Sequence, residues 1–365
     1  MDRHAAVASS AKQTRTRPTP PPPSTPLVHL SFTRDASCFI AADASAVHWR
    51  SCDTFALRGL YQERDAGRTV VAAAGDMRHE KASICAPGYI NYHWRYNDWE
   101  AAVAEVRAVH VHGDMTVLVL DGRVDVYGAG VLHRVDTGRG NPLGLCAVSQ
   151  GGVDAPFVFA CPGAGVGEAH VERWAGEFKP LSIPAHSSAL ACMAMSRDGR
   201  LLATASVKGT ILRVFCAAAG VLLRELRRGS DRADIHCLAF SPDSKWLAAS
   251  SDKGTIHVFN VNVDLTSSPE HGDDGDAPNA TTKVNQGWSL SYFSGFVPVP
   301  RYFRQDYSLA KLHLREGVKY MVAFSHEPHT VLIIGMDGSF YRCQFDPVNV
   351  GEMKLLEFRN FMNIE

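Results

Sequence analysis

The sequence repeats a pattern of apolar strand, glycine turn and second apolar strand, and this repeat constrains the fold more than any other feature. One copy contains the strand Leu201–Ser206 and another contains the strand Trp246–Ser251. Each is followed by a Lys-Gly-Thr turn, which begins at Lys208 in one copy and at Lys253 in the other. These lysines are about 45 residues apart, which is the repeat length of a WD-type propeller blade.

Short strands with a polar turn at their ends open four copies of the repeat, including the two above. These segments begin at Leu30, Ala194, Ala239 and Ala323. Helical periodicity is scarce, and radial closure protects the edges of sheets built from many short strands. With roughly 40–45 residues per blade, the sequence predicts an all-β fold, a seven-bladed WD40-like β-propeller over residues 27–365.

Three regions fall outside the regular repeat. Residues 1–26 form a predicted disordered, proline-rich tail, although its polyproline run could also dock in an aromatic groove. Residues 58–104 show a weak repeat signal. Residues 263–307 interrupt a blade, and loops of this length are usually functional or disordered. The second half of this loop is aromatic, with Trp288, Tyr292, Phe293, Phe296, Tyr302 and Phe303.

Composition excludes several classes of function. The formal net charge is -1, which does not favour nucleic acid as a partner. No apolar run is long enough to cross a bilayer and no secretory signal core is present, so we expect a cytosolic protein. The nine cysteines form no Cys-x-x-Cys pair, and Cys146, Cys192 and Cys237 are interpreted as buried core thiols.

Neither a metal centre nor an active site is predicted. His110 and His112 would share one face of a strand, but no third ligand is close in sequence, and zinc needs three or four. We find no nucleophile elbow, no glycine-rich loop that opens a helix and no paired-carboxylate signature. The sequence therefore predicts a protein that is not an enzyme and has no cofactor.

Two adjacent arginines, Arg227 and Arg228, lie where one predicted blade gives way to the next. Because neighbouring side chains of an extended chain point to opposite sides, each arginine would face a different blade. Both blades offer further cationic and hydroxyl groups, namely His186, Ser206, Lys208, Thr210 and Arg213 in the earlier blade and Ser251, Lys253, Thr255 and His257 in the later one. Phosphate is bound by bidentate arginine guanidinium groups, lysine ammonium groups and hydroxyl donors, so the pattern indicates two anion sites. Ordinary hairpin residues are the alternative interpretation.

The segment Leu-Arg-Arg-Gly at 226–229 resembles the Phe/Leu-Arg-Arg-Gly motif of the PROPPIN family, also called the WIPI family. Other segments that resemble family strands are 105–109, 183–186, 203–210, 250–259 and 340–347. The resemblance covers about 106–345 well and 30–53 more loosely. Residues 58–104 depart from the family pattern.

The resemblance implies a seven-bladed propeller that binds phosphatidylinositol 3-phosphate and phosphatidylinositol 3,5-bisphosphate and acts as a membrane recruiter in autophagosome formation. It implies a first lipid site made of His186, Ser206, Thr210, Arg213 and Arg227, and a second lipid site made of Arg228, Ser251, Thr255 and His257. Because of their positive charge, we include Lys208 in the first site and Lys253 in the second. The aromatic loop falls where the family carries a membrane-inserting loop, although its aromatic side chains could instead cover a blade.

The resemblance also implies where the protein acts and what it contacts. We expect a monomer in the cytosol that associates peripherally with preautophagosomal, endosomal and vacuolar membranes. Its partners would be membranes that contain phosphoinositides and autophagy-machinery proteins, which the family docks on its early blades. A WD-repeat scaffold that binds only proteins is the alternative function.

Overall fold

Short β-strands account for almost all the regular structure. The computed structural model describes residues 26–63, 72–76, 81–86, 89–91, 99–101, 105–113, 115–128, 131–138, 140–151, 156–174, 177–263 and 306–363. In these ranges, thirty strands form seven mainly antiparallel sheets, numbered here in chain order.

The first four sheets are built from consecutive strands. Sheet 1 contains β1 (His29–Phe32), β2 (Cys38–Ala42), β3 (Ala46–Ser51) and β4 (Leu57–Gln62). Sheet 2 contains β5 (Ala72–Asp76), β6 (Lys81–Ala86), β7 (Tyr89–Asn91) and β8 (Trp99–Ala101). Sheet 3 contains β9 (Val106–His112), β10 (Met115–Leu120), β11 (Arg123–Tyr127) and β12 (Val131–Asp136). Sheet 4 contains β13 (Ala147–Val148), β14 (Val158–Pro162), β15 (Glu168–Trp174) and β16 (Phe178–Pro184).

The remaining three sheets include strands added from later in the chain. Sheet 5 contains β17 (Leu190–Met195), β18 (Leu201–Ser206), β19 (Ile211–Cys216), β20 (Leu222–Arg227) and β24 (Asp306–Tyr307). Sheet 6 contains β21 (Ile235–Phe240), β22 (Trp246–Ser251), β23 (Thr255–Asn260), β25 (Ala310–His313) and β29 (Gly351–Glu352). Sheet 7 contains β26 (Tyr320–Phe324), β27 (Thr330–Gly335), β28 (Ser339–Gln344) and β30 (Lys354–Asn360), and a 3-10 helix follows (Phe361–Asn363).

The second strand of a sheet is often apolar along its whole length. All residues of β2, β18, β22 and β27 are buried. A strand covered by neighbouring sheets on both faces has no solvent side, so its sequence is a continuous run of small and apolar residues rather than an alternating one.

Buried apolar clusters connect each sheet to the next and close the sheets into a ring. Trp49 of sheet 1 shares a cluster with Ile84 of sheet 2, and corresponding clusters join every later pair of consecutive sheets. The last cluster joins Phe340 of sheet 7 to Phe39 of sheet 1, with their ring centroids 6.1 Å apart. This closure confirms the prediction of an all-β propeller.

A central channel runs along the axis of the ring. A cavity of about 340 Å³ is lined by first strands from six of the sheets, through residues that include Ser31, His110, Val148, Met193, Cys237 and Val322. Cys146, Cys192 and Cys237 line this channel; Cys192 is buried and the other two are half-buried. Cys192 belongs to a core cluster, and Cys146 and Cys237 pack against core clusters, so the prediction of core thiols is confirmed, although only Cys192 is fully buried. The last strand of each sheet lies farthest from the channel, at the rim.

The region with a weak repeat signal, residues 58–104, contributes most of strand β4 and the whole of sheet 2. Two strands of this sheet, β7 and β8, have only three residues each, which is too short to show an alternating pattern. The proline-rich tail up to residue 25 and residues 264–305 of the long loop lie outside the described residues. In the part of the chain that is described, no helix has the length and hydropathy needed to cross a membrane.

Candidate functional site

The two arginines lie on the rim of sheet 5, where its last antiparallel strand ends. Arg227 is the final residue of β20 and Arg228 follows it. Leu226 is completely buried in the cluster between sheets 5 and 6. Since side chains alternate along a strand, Arg228 shares the Leu226 face toward sheet 6, and Arg227 faces sheet 4. The sequence analysis placed Arg227 in the joint after the strand, whereas the structure places it within the strand.

Contacts on each face support this assignment. On the sheet 6 side, an Arg224 guanidinium N–H donates a hydrogen bond to the backbone carbonyl of Asn262, with 2.8 Å between the heavy atoms. On the sheet 4 side, Nη1 of Arg213 donates to the carbonyl oxygen of Ala185 at 2.6 Å. The grooves between sheets 4 and 5 and between sheets 5 and 6 are therefore the two candidate sites.

Backbone carbonyls hold the Arg228 side chain in place. Its Nε donates to the carbonyl oxygen of Gly209 at 2.8 Å, and Nη2 donates to the carbonyl oxygen of Asp231. Burial lowers the pKa of the guanidinium, and the nearby Asp252 and Asp231 carboxylates oppose that shift. Gly209 has a φ of 62°, and a Cβ there would collide with the carbonyl oxygen of Ala233, so this turn requires glycine.

In the first groove, Arg213 is engaged in an ion pair. Its Nε and Nη2 each lie 2.9 Å from Oε2 of Glu225. The sequence analysis assigned Arg213 to phosphate and missed Glu225, which is two residues before Arg227 and on the same face. A carboxylate offers the guanidinium the same oxygen acceptors as a phosphate, so Glu225 competes with any anion that enters this groove.

His186 lies in the same groove in its neutral form. Its Nε2 is 2.9 Å from the hydroxyl oxygen of Thr204. Burial, followed by the nearby positive charge of Arg213, lowers the pKa of His186 to about 4. The imidazole therefore contributes hydrogen bonding rather than charge near neutral pH.

In the second groove, His257 is buried beside the cationic strand β25. Its Nδ1 lies 3.2 Å from the hydroxyl of Ser308, and its ring stacks on Phe259. Burial lowers the pKa of His257 to about 3, with further contributions from Lys311 and Arg228. The influence of Arg228 on His257 places that arginine close to sheet 6.

Thr255 and Lys253 lie nearer the surface of this groove. The Thr255 hydroxyl is 3.3 Å from Nδ1 of His313, and Nζ of Lys253 is 3.7 Å from Asp252. The sequence analysis missed Lys311 and His313, because strand β25 follows a loop of more than forty residues. Only the pairing of Thr255 with His313 across strands β23 and β25 reveals that they belong to this site.

The two predicted serine ligands lie at buried positions. Ser206 is 5% exposed and Ser251 is completely buried. Both end central strands that are covered by neighbouring sheets, which explains their burial. Within the described residues, the Ser251 hydroxyl has no hydrogen-bond partner.

The groups that remain accessible are cationic or hydroxylic. Lys208 is exposed and Thr210 and Arg227 are half-buried in the first groove. Lys253, Lys311 and His313 are exposed in the second, where Arg228 and Thr255 are half-buried. Such groups can bind phosphate oxygens through charge-assisted hydrogen bonds. The six aromatic residues predicted to insert into a membrane lie outside the described residues, and the described ones contain no cluster of three metal-ligating side chains.

Fold and site together define a β-propeller with two grooves of potential anion-binding groups on adjacent sheets of its rim. The PROPPIN family matches residues 129–361 of this chain. The chain belongs to the PROPPIN family, as the sequence motifs indicated.

Curated relatives come from plants, animals, fungi and an amoeba. Autophagy-related protein 18e of Arabidopsis thaliana is 39% identical over 267 residues, which is 72% of this chain and 65% of the relative. WD repeat domain phosphoinositide-interacting protein 2 of Xenopus laevis is 35% identical over 234 residues, which is 62% of this chain and 52% of the relative. The chain spans 65%, 56% and 52% of the first three relatives.

Solved structures share the fold. Hsv2 of Kluyveromyces lactis superposes with a TM-score of 0.71 at 20% identity, covering 93% of this chain and all of that one. A complex of KlAtg21 with the coiled coil of AgAtg16 gives a TM-score of 0.68 at 20% identity, covering 92% of this chain and 99% of that one. At this level of identity, the likeness establishes the propeller fold.

The buried histidines predict a loss of stability in acid. The pKa values of His186 and His257 in the folded protein, about 4 and about 3, lie below the ordinary value of 6.5. The unfolded chain therefore binds more protons between these values, so the stability is fully present above pH 6.5 and is lost as the pH falls toward 3. Each histidine is expected to contribute a slope of about 1.4 kcal/mol per pH unit inside that window.

Urea unfolding at a series of pH values measures this slope. The variant His257→Gln cannot take up the proton. The slope of its unfolding free energy against pH should therefore correspond to about one proton fewer taken up on unfolding than in the parent protein. Equal slopes for the parent protein and the variant would contradict the assignment.

Proposed function

We propose that this protein is a non-enzymatic membrane recruiter in autophagy that binds phosphatidylinositol 3-phosphate and phosphatidylinositol 3,5-bisphosphate. The observation that carries the proposal is the placement of Arg227 and Arg228, adjacent arginines whose side chains face different grooves of the same rim. Each groove adds accessible hydroxyl and cationic groups. One rigid body could thus hold two lipid headgroups at once.

The names of the relatives support this class of ligand and process. One relative is an autophagy-related protein and another is a phosphoinositide-interacting protein. We extend both properties to this chain, with peripheral association to preautophagosomal, endosomal and vacuolar membranes and a cytosolic pool. We assign the headgroups to the grooves between sheets 4 and 5 and between sheets 5 and 6, and we retain the aromatic part of the long loop as a membrane-inserting segment.

We also propose that sheet 2 is a reduced blade and that the propeller therefore has seven blades. Its strands β5 and β6 pair in register from Ala72 with Cys85 to Asp76 with Lys81. Ala72 and Cys85 also share a buried cluster with Val109 of sheet 3. A protein partner from the autophagy machinery fits the family, since a solved relative binds the coiled coil of AgAtg16. The protein is proposed to act as a monomer.

The experiment is flotation of the full chain with phosphatidylcholine vesicles that contain one phosphoinositide at a time, at equal mole fractions. We expect flotation with the 3-phosphate and the 3,5-bisphosphate and little flotation with unphosphorylated phosphatidylinositol. Raising the salt concentration should weaken the interaction, because the headgroup contacts are partly exposed. Equal flotation with every lipid, or none, would contradict the proposal and favour a scaffold that binds only proteins.

A further inference from the structure

Three large apolar side chains are exposed close to the two grooves. Val348, Val350 and Tyr307 are 79%, 78% and 60% exposed. Among the described residues, the other large apolar side chains of similar exposure are Leu143, at 64%, which lies between sheets 3 and 4, and Val221, at 56%, which lies just before β20. Contiguous exposed apolar groups usually mark a contact surface. Val348, Val350 and Tyr307 are called the rim patch below.

Strand pairing places the members of the rim patch at the outer edges of the adjacent sheets 5 and 6. Strand β29 runs parallel to β25, with Gly351 opposite Ala310, so Val350 lies just before this pair. Tyr307 precedes Ala310 by three residues, a distance of about 10 Å along an extended chain. Tyr307 is also registered with Arg227 in the parallel pair of β24 and β20. The rim patch therefore adjoins the arginines of the proposed headgroup sites.

A network of hydrogen bonds fixes the turn that presents the two valines. The Asp346 carboxylate accepts hydrogen bonds from the backbone N–H groups of Val348 and Asn349, at 2.8 and 3.0 Å. It also accepts one from the Asn349 side-chain amide at 2.8 Å. Because polar groups rather than valine packing hold this turn, the valines are available to a partner at little cost in ordering.

We propose that the rim patch inserts into the interfacial layer of the membrane while the two grooves hold lipid headgroups, an inference that rests on the function proposed above. A lipid surface fits the rim patch because aliphatic groups there are next to cations. Arg227 is registered with Tyr307, and Lys311 and Lys354 are exposed on neighbouring strands, although Glu352 and Asp346 offset part of this charge. Apolar side chains flanked by lysine and arginine form the composition that binds anionic membrane interfaces.

The test compares the parent protein with the double variant Val348→Ser, Val350→Ser in two binding measurements. The first measurement is the affinity for phosphatidylcholine vesicles that contain phosphatidylinositol 3-phosphate. We expect the variant to bind these vesicles about thirtyfold more weakly, since two partly inserted valines lose their apolar transfer. The second is the affinity for soluble inositol 1,3-bisphosphate, which should be unchanged. The matched control Leu143→Ser removes an equally exposed apolar group away from the rim and should leave both affinities unchanged.

An introduced tryptophan gives an independent readout of insertion. The parent protein provides the signal of the six native tryptophans, which is subtracted. In the variant Val348→Trp, vesicles with brominated acyl chains should quench the remaining fluorescence, that of the new indole, more than they do in Leu143→Trp. The rim-patch proposal would be overturned if the serine variant bound vesicles as tightly as the parent protein, or if it lost affinity for the soluble headgroup to the same extent as for vesicles. Equal quenching of the two introduced tryptophans would also overturn it. If the parent protein bound neither the vesicles nor the soluble headgroup, the proposed function itself would fail and the rim-patch proposal with it.

Discussion

Replacing Arg227 and Arg228 together with threonine is expected to weaken binding to phosphoinositide vesicles by about a hundredfold or more. A charge-assisted hydrogen bond contributes roughly 1.5–3 kcal/mol, and the double variant removes such bonds from both grooves. The loss should exceed the effect of either groove alone, because two sites on one rigid body reinforce each other through effective concentration. Vesicle flotation and titration with a soluble inositol phosphate both measure this change.

The single variants should separate the two sites. Arg227→Thr removes a cation that faces sheet 4, while Arg228→Thr removes one fixed near His257 of sheet 6. Each single variant should therefore retain one site and bind about one equivalent of soluble headgroup where the parent binds two. Loss of both equivalents in a single variant would show that the arginines serve one common pocket.

A matched control removes the same charge from the same sheet. Arg197 and Arg200 are exposed on the turn between β17 and β18, outside both grooves. The double variant Arg197→Thr, Arg200→Thr should bind vesicles like the parent protein. An equal loss in this control would mean that net charge, not the two grooves, determines membrane binding.

The fold was largely predictable because its main signal is local. Fully buried strands such as β18 and β22 consist of continuous runs of small and apolar residues, and the Lys-Gly-Thr turns that follow them need glycine at a fixed position. These features recur with the period of a blade, so the propeller fold can be predicted from the sequence without knowing any contact between strands. Sheet 2 was not predictable in this way, because three-residue strands are too short to show a pattern.

The site was only partly predictable, because its electrostatics depend on pairing across strands. The alternation of Arg227 and Arg228 follows from the geometry of a single strand. By contrast, Glu225 contacts Arg213 across the strand pair β20 and β19. His313 contacts Thr255 across the strand pair β25 and β23, although a long loop separates these strands in the sequence. Burial was equally hard to anticipate, since Ser206 and Ser251 follow the repeat but end strands that are covered on both faces.

Closure of the ring joins two sheets from opposite ends of the chain. Sheet 1 contains only strands from the N-terminal part of the chain, and sheet 7 contains only strands from the C-terminal part. No shared strand links these two sheets, so side chains must hold them together. Aromatic packing supplies one contact, with the ring centroids of Phe55 and Phe340 4.8 Å apart.

Arg342 of sheet 7 supplies the polar part of this closure. Its side chain is 10% exposed, and its Nη2 lies 2.9 Å from Asp53 and 3.0 Å from the carbonyl oxygen of Cys52 in sheet 1. Within sheet 7, Nε is 3.4 Å from Glu357 and Nη1 is 4.0 Å from Glu327. One guanidinium therefore neutralises carboxylates from both sides of the closing interface.

Replacing Arg342 with alanine is expected to lower the free energy of unfolding by about 3 kcal/mol, because three carboxylates lose their shared cation and a buried carbonyl loses its donor. The melting temperature should fall by about 5 °C. Hydrogen exchange should locate the change, with faster exchange in sheets 1 and 7 than in sheet 4.

Arg359→Ala is the comparison variant, since Arg359 also contacts Glu357, at 2.9 Å, and lies over the Phe55 ring, 5.2 Å from its centroid, but its side chain is 55% exposed. Exposed ion pairs contribute about 0–1 kcal/mol and exposed cation–π contacts about 0.5–1 kcal/mol, so this variant should lose less stability than Arg342→Ala. If Arg342→Ala cost no more than Arg359→Ala, or if exchange increased equally in all sheets, the aromatic cluster alone would account for closure. The predicted pattern would instead show that a buried cation links two sheets that share no strand.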